Sequence, residues 1–552
     1  MIKNTRKIKT ITISIAMPLF CVVFLSLVDN LYYSMADDYL MNLIARGAFG
    51  DSPDPYLIFN SALLGKVLTV FYSLLPSINW YPIFQLGTIA ISFSVINYVF
   101  INITRKTWEI LLITGVLELI VIYHLTFTIT SYLCVGAGCT YLIYSAWKEK
   151  KIGYIECTFF SFLWLLGDCW RTSTIVTAVF VFIVPFLYLT IIRKKREILF
   201  CFVIALCVVG IGKSADTLIY KNSSLDWESY AQYNELRSQV VDYPRLNYEK
   251  YQEKFEELGV SENDWQCLYR WVFADREVFS EKTLDEIANM QPIWDGRYNF
   301  DIKSIFAGMF SLKYNYCFLI IVLGAVALTE KKYKWGNVLN ALCTYGMIAA
   351  LFVRGRVVLR VMIPIYILGV LSLLIWTSIH KNHGSKLLYW CRNLVVLCVA
   401  CITCFLLIRN NNSLETLYEE EWKKYDELRI YIEEHPQDLY VASSGVVNPL
   451  EYRTTIFQVG EDMDVGNVIK LGSWDIYSKR YYDQLEKYHV ENKERLLIAL
   501  TEESVRYIAW DEEETKMIKK YLEEHLDENI VYEQIAEFPK CDIKIMDISI
   551  LK

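Results

Sequence analysis

The sequence predicts an α-helical polytopic membrane protein with about eleven spans and a small extracytoplasmic α/β domain at its C-terminal end. Of its 552 residues, 54% are hydrophobic and 21% are charged, and the mean hydropathy is +0.26, whereas soluble domains average about 25% charged residues. Residues 409–552 hold 32 acidic and 18 basic residues, net −14, and the remainder holds 30 acidic and 37 basic residues, net +7. An apolar, basic body followed by an acidic tail excludes a soluble globular enzyme and a disordered protein.

Two other classes conflict with the composition. A pI near 5.6 without a dense basic stripe argues against a nucleic-acid partner. Most of the fifteen cysteines lie inside apolar runs, where cysteine packs as a small hydrophobe. We therefore do not expect a disulfide scaffold.

The spans follow from segment length, because a hydrocarbon core about 30 Å thick needs about 20 mostly apolar residues. Twelve segments qualify as candidates: 11–33, 57–75, 81–103, 108–123, 126–147, 152–168, 172–192, 197–215, 312–329, 335–353, 357–378 and 387–408. The basic clusters between residue 3 and residue 386 all face the cytoplasm only if one segment between 38 and 105 does not cross. This leaves eleven spans, a cytoplasmic N-terminus and an extracytoplasmic C-terminus.

Segment 57–75 is the one predicted not to cross. Its polar residues Ser61, Gly65, Lys66, Thr69 and Ser73 form one helical stripe. We interpret it as an amphipathic lid helix at the outer interface; the alternative is a spanning helix with a polar packing face. The outer pieces are then loop 34–80 and loop 216–311 of a membrane body 1–408, and an extracytoplasmic domain 409–552.

The two larger outer pieces carry their own structural signals. Loop 216–311 is rich in aromatic residues and has two candidate capping boxes, 261–264 and 283–286, so we expect three or four helices over the membrane face. The sequence pattern of the tail predicts a helix over 413–435, strands over 439–442, 505–510, 530–538 and 543–548, and helices over 480–489 and 512–526. The run 471–475, with Trp474, is either a binding edge or a strand end with a buried tryptophan.

The main candidate for chemistry is the acidic pair Asp37-Asp38 directly after the first span. A carboxylate there can take a proton from an acceptor hydroxyl or hold a divalent cation. The alternative is an acidic cap that favours the outer side of the membrane. The following segment 46–55 is rich in turn residues and resembles a folded lid.

Other polar residues converge on the same predicted boundary. Asp168 and Arg171 are spaced i,i+3, so they can pair, and His124 occupies a short outer turn. Arginine is the natural partner of phosphate, and snorkelling or an internal Arg–Asp pair is the alternative. The candidate cations are Arg354, Arg356 and Arg360, which open the span near residue 357, together with Arg171 and Lys66.

These stretches resemble the GT-C class of membrane glycosyltransferases, especially bacterial members of undefined activity. The resemblance rests on Asp37-Asp38-Tyr39, a lid helix ending in Pro76-Ser-Ile-Asn79-Trp80-Tyr81, and Gly355-Arg356 with Arg360. It implies a multi-pass protein of a bacterial plasma membrane that moves a sugar from a polyprenyl-phosphate donor to an extracytoplasmic glycan or lipid acceptor.

The resemblance also implies roles for particular residues. Asp37 or Asp38 is the base, or binds Mg²⁺ or Mn²⁺; the metal requirement is open because it varies in the class. Donor phosphate contacts fall on Arg171, Arg354, Arg356, Arg360 and Lys66. Acceptor or lid contacts fall on Tyr39, Trp80, Tyr81, His124 and Asp168.

Three other functions compete with this one, the last of them that of a non-catalytic membrane scaffold. The first is an O-antigen polymerase- or ligase-like enzyme, which would place its key basic residues in loop 216–311. The second is a transporter or flippase, whose usual paired repeats and interrupted helices are not evident in the sequence.

Overall fold

The computed structural model describes the chain except residues 1, 51, 105, 149–150, 244, 291–300, 356, 382–408, 410–415, 417–419, 422, 452–454, 458–465, 527 and 552, and the side chains of 2–5, 313 and 448–451. The described chain is mostly helical and ends in a small sheet domain. Its helices up to residue 221 are α1 Ile2–Val28, α2 Ala36–Arg46, α3 Ala62–Leu74, α4 Trp80–Thr104, α5 Thr107–Tyr123, α6 Phe127–Lys148, α7 Tyr154–Trp170, α8 Thr174–Val181, α9 Ile183–Leu187 and α10 Glu197–Lys221.

The remaining helices divide between loop 216–311, the apolar segment that follows it and the tail. They are α11 Trp227–Val241, α12 Gln252–Glu257, α13 Glu262–Tyr269, α14 Glu281–Met290, α15 Ile302–Ser311, α16 Lys313–Leu328, α17 Lys334–Val353, α18 Leu359–Ile379, α19 Asp426–Glu434, α20 Ser444–Glu451, α21 Lys479–Lys487, α22 Leu496–Ala499 and α23 Glu512–His525. Short 3₁₀ turns at Glu249–Tyr251 and Lys331–Tyr333 and a π turn at Tyr188–Ile192 join them.

Six described helices are long and apolar enough to cross a membrane, and two bent pairs raise the number to eight. The predicted eleven spans are therefore not confirmed. Helices α5 and α7 have 17 residues each, at the lower limit for a crossing. Segment 172–192 bends by 65° between α8 and the helix after it, the region 302–328 bends by 86°, and segment 387–408 lies outside the described residues.

Helix α3 lies within the predicted lid. Its 13 residues reach only about 20 Å at 1.5 Å per residue, which is too short to cross the hydrocarbon core. The Ser61 side chain caps the helix, and the Asp216 carboxylate of α10 accepts bonds from Ser61 Oγ at 2.9 Å and Ala62 N at 2.5 Å. Gly65 packs so closely on Pro55 that a Cβ would lie 2.0 Å from its carbonyl oxygen. The lid helix is thus fixed to α10 and to the first loop.

The sheet domain contains five strands, β1 Leu439–Ala442, β2 Val468–Lys470, β3 Val505–Ala509, β4 Ile530–Phe538 and β5 Ile543–Ile550, in the order β2-β1-β3-β5-β4. Strands β2, β1 and β3 are parallel, and β5 and β4 extend the sheet antiparallel. The four predicted strands are confirmed within a residue or two. Strand β2 was missed because three residues are too few for a periodicity signal.

Loop 216–311 packs with the sheet domain. Aromatic residues of the loop, including Tyr230, Tyr233 and Phe273, share one buried core with β1, β3, α21 and α23. Phe273 N and Ala274 N both donate to Leu471 O, at 3.0 and 2.9 Å. We call this combination, the described parts of residues 222–290 and 426–550, the outer unit, after the side of the membrane predicted for it.

One of the two capping boxes has the predicted form. Ser261 Oγ accepts from Asp264 N at 3.0 Å and Asp264 Oδ2 accepts from Ser261 N at 2.9 Å. The second prediction was wrong, because α14 begins at Glu281 and Thr283 lies inside it. The cap there is Ser280, whose hydroxyl accepts from Thr283 N at 3.1 Å.

Candidate functional site

The acidic pair lies in the first turn of α2, shortly after the end of α1 at Val28. Acidic side chains are favoured there by the unpaired N–H groups and the helix dipole. Successive residues of a helix point about 100° apart, so the two carboxylates enter different surroundings. Their different partners separate their roles.

Asp37 forms an ion pair with Arg360. Asp37 Oδ2 accepts from Arg360 Nη1, which joins the first outer loop to the start of α18 across 323 positions of sequence. Asp37 Oδ1 accepts from Trp474 Nε1 at 3.1 Å. The Arg360 side chain keeps 19% of its surface exposed and that of Asp37 10%, so the pair is not fully enclosed by protein. An acid, a guanidinium and an indole from three distant segments meet at one point.

Asp38 is fully buried, with 0% of its surface exposed. Its Oδ1 accepts from Phe127 N at 2.8 Å and from Gln85 Nε2 at 3.2 Å, and the Tyr81 hydroxyl lies 3.2 Å away. Burial, and then the charge of Asp37, raise the pKa of Asp38 to about 8, although those three hydrogen bonds act to lower it. Asp38 is therefore mainly neutral at pH 7, and it ties α2 to α4 and to the start of α6.

Trp474 comes from the outer unit, in the segment that follows β2. Its ring lies 4.6 Å from that of Phe59, between centroids, and its carbonyl accepts from the Tyr230 hydroxyl at 2.6 Å. Only 9% of Trp474 is exposed. Trp474 is buried, as one of the two interpretations of run 471–475 expects. Its indole N–H nevertheless reaches the Asp37 carboxylate. No short-range pattern in the sequence could have indicated that contact.

A second contact holds the tail to the membrane body near this site. Ile456 N donates to Leu31 O at 2.9 Å, and Asn79 Nδ2 donates to Ile456 O at 2.8 Å. Asn79 also lies 2.7 Å from the Tyr72 hydroxyl of α3. The tail, the lid helix and the first outer loop are thus joined within one hydrogen-bonded network.

The predicted Asp168–Arg171 pair does not form. Asp168 instead faces Lys213 of α10, with 3.7 Å between Oδ1 and Nζ. Arg171 follows the end of α7 in extended conformation, donates to Thr128 Oγ1 at 2.5 Å and lies over the Phe127 ring, 5.3 Å from its centroid. The i,i+3 spacing fails because the helix ends at Trp170, so Arg171 leaves the helical path.

Arg171 nevertheless lies close to the acidic pair. Phe127, under its guanidinium, is the residue whose N–H binds Asp38, and the Phe127 ring stacks on Phe59, the neighbour of Trp474. The site therefore has Arg360 beside Asp37 and Arg171 at the other end of an aromatic row made of Trp474, Phe59 and Phe127.

Other predicted residues occupy varied places. Tyr39 is buried against Tyr33, and Trp80 packs on Phe71 of the lid helix. Tyr81 contributes to the Asp38 network. Lys66 and Arg354 are exposed and have no described contact with the acidic pair, and Arg356 lies outside the described residues.

His124 contacts other residues than the acidic pair. Its Nε2 lies 3.2 Å from the Tyr314 hydroxyl and its Nδ1 3.1 Å from Tyr123 O, and burial lowers its pKa. The structure thus gives His124 a packing role at the end of α5.

The acidic pair is poorly suited to a divalent cation. Asp37 is neutralised by a guanidinium and Asp38 is a neutral acid held by three donors, so the two carboxylates do not provide the anionic oxygens that Mg²⁺ prefers. Within the described ranges, the group with metal-ligand spacing is Asp264, Glu524 and His525 of the outer unit. There His525 Nε2 lies 2.8 Å from Asp264 Oδ1, joining loop and tail.

No protein-family model matches this chain, and no curated protein matches it in sequence.

Proposed function

We propose that the protein is a membrane glycosyltransferase that moves a sugar from a polyprenyl-phosphate donor to an extracytoplasmic glycan or lipid acceptor. The observation that carries the proposal is the ion pair between Asp37 and Arg360 beside α1 and α18. It supplies a proton acceptor and a phosphate-binding group at adjacent positions near the end of a membrane helix. Such a site suits a reaction in which a hydroxyl attacks and a lipid phosphate leaves.

In the proposed reaction, the Asp37 carboxylate takes the proton of an acceptor hydroxyl. The acceptor oxygen attacks the anomeric carbon of the sugar, and the bond from that carbon to the phosphate oxygen breaks with inversion. The phosphate leaves with the bonding electron pair, and its charge is held by Arg360, since fixed donors aimed at developing charge often give the largest catalytic contribution. A phosphate leaving group reduces the need for a general acid, so one ionised aspartate is sufficient.

Asp38 has a positioning role in this scheme. Because it is buried and neutral, it is a poor proton acceptor at pH 7. Its bonds to Phe127 and Gln85 fix the first turn of α2 and thereby the direction of Asp37. This division assigns the base to Asp37 and explains why two adjacent acids are needed.

The test is release of polyprenyl phosphate from a panel of polyprenyl-phosphate hexoses and pentoses by purified protein, with a cell-envelope glycan fraction as acceptor. We expect wild type to release polyprenyl phosphate from at least one donor, Asp37→Asn to be at least about 100-fold slower because it lacks the base, and Asp38→Asn to retain most activity. Glu433→Gln, which removes a carboxylate paired with Arg429 on α19, is the control. Inactivity of wild type with every donor, or full activity of Asp37→Asn, would contradict the proposal.

A further inference from the structure

We propose that Arg360 and Trp474 form an anion-binding cradle that Asp37 fills in the free protein and that the phosphate of a polyprenyl carrier takes over when it binds. The inference rests on the proposed function and adds two elements to it. The first is a specific donor supplied by the outer unit. The second is competition between the acid of the site and its ligand.

The geometry of the donors is the first argument. Arg360 Nη1 donates to Asp37 Oδ2 and Trp474 Nε1 donates to Asp37 Oδ1. Two N–H groups from separate parts of the chain thus converge on the two oxygens of one anion. Carboxylate and phosphate present the same kind of paired oxygens to arginine, so donors that fit one also fit the other.

The rigidity of the donors is the second argument. Trp474 is packed against Phe59, and its carbonyl accepts from the buried Tyr230 hydroxyl. The next residue, Asp475, pairs at 2.5 Å with buried Arg480, whose guanidinium lies 3.9 Å from the Phe49 ring centroid. The indole N–H is therefore fixed from both sides, so it stays in place when its acceptor changes.

Charge is the third argument. A phosphate that reaches Arg360 brings a second anion beside Asp37, and one guanidinium cannot fully neutralise both. Asp37 then turns away from the cradle, toward the position of an attacking hydroxyl. Phosphate binding and release of the base are thereby one event, and the acid is not available before the donor is bound.

The experiment measures equilibrium binding of polyprenyl phosphate to the full-length protein in detergent micelles, without any sugar transfer. We expect Asp37→Asn to bind about tenfold more tightly, because the competing charge is removed, and Trp474→Phe to bind about three- to tenfold more weakly, because one N–H donor is lost. Arg360→Gln should bind at least about tenfold more weakly, with Arg360→Lys between it and wild type.

Matched controls separate the cradle from general effects. Glu433→Gln and Arg429→Gln break an ion pair whose arginine has the same 19% side-chain exposure as Arg360, and Trp510→Phe removes an indole N–H elsewhere in the sheet domain. All three should bind as wild type does. Inorganic phosphate and unphosphorylated polyprenol are the further ligands, and each should bind at least about tenfold more weakly than polyprenyl phosphate.

Three results would overturn the inference. They are unchanged or weaker binding by Asp37→Asn, wild-type binding by Trp474→Phe, and inorganic phosphate binding as tightly as the lipid. Because binding is measured without transfer, a protein with the expected binding pattern but no activity on any donor refutes the glycosyltransferase and leaves the cradle. A protein that transfers sugar but does not show the expected binding pattern refutes the cradle alone.

Discussion

Replacing Asp38 by asparagine should change how the stability of the protein depends on pH. Asp38 has an ordinary pKa of 3.8 when unfolded and one of about 8 when folded, because burial and the charge of Asp37 disfavour its ionised form. Between these values the folded state holds a proton that the unfolded state has lost. The contribution of Asp38 to stability therefore falls as pH rises through this window, by about 1.4 kcal/mol per pH unit.

Asparagine removes that dependence while keeping the hydrogen bonds. Its carbonyl oxygen accepts from Phe127 and Gln85 as Asp38 Oδ1 does, and its NH₂ replaces Oδ2, which has no hydrogen-bond partner within the described part of the chain. From pH 5 to pH 8 the stability of Asp38→Asn should increase relative to wild type by on the order of 4 kcal/mol.

Thermal unfolding of both proteins in detergent micelles, measured from pH 5 to pH 8, checks this expectation. The difference in Tm should grow in favour of Asp38→Asn as pH rises. The control Glu433→Gln replaces a carboxylate on α19 that pairs with Arg429, and it should give a curve parallel to that of wild type. Parallel curves for Asp38→Asn and wild type would refute the conclusion that the Asp38 carboxyl is neutral in the folded protein.

Three further predictions concern the parts that support the site. Gly47→Ala should lower the Tm, because Gly47 has φ of 89° and a Cβ would lie 2.6 Å from the backbone of residue 52. Gly50→Ala should leave the Tm unchanged, because a Cβ at Gly50 has room. Equal effects of the two substitutions on the Tm would contradict this reasoning. Asp475→Asn should destabilise the protein by about 3 kcal/mol in thermal or denaturant unfolding, because it leaves the buried Arg480 charge unpaired; a loss below about 1 kcal/mol would show that the charge finds another partner. Asp216→Ala should raise amide exchange in α3 by removing the acceptor at its first turn, and unchanged exchange there would show that the lid helix is fixed by other contacts.

Local patterns predicted much of the tail and one of the two caps. Strands β1, β3, β4 and β5 were predicted within a residue or two because β-branched and apolar runs bounded by turn residues determine strands locally. The Ser261 capping box was also evident because both of its partners lie within four residues. The box at Thr283 was wrong because Ser280, three residues earlier, offers the same chemistry.

The sequence likewise predicted some residues of the candidate site but not their partners. The acidic pair and the arginines could be singled out because charged residues beside apolar spans are costly and therefore informative. Their partners could not be predicted, since Asp37 meets Arg360 and Trp474 only through the packing of α1, α18 and the outer unit. Asp168 contacts Lys213 of another helix and not Arg171, which lies three residues further along the chain.

The sequence by itself determined that the chain is a largely helical protein with helices long and apolar enough to span a membrane and a small sheet domain, because apolar runs and strand patterns act over ten to twenty residues. Only the tertiary structure decided which helices bend, that loop 216–311 shares a core with the tail, and that of two adjacent aspartates one is ion-paired and the other buried. Those outcomes depend on contacts between residues hundreds of positions apart, and such contacts are set by how whole elements pack rather than by any local pattern.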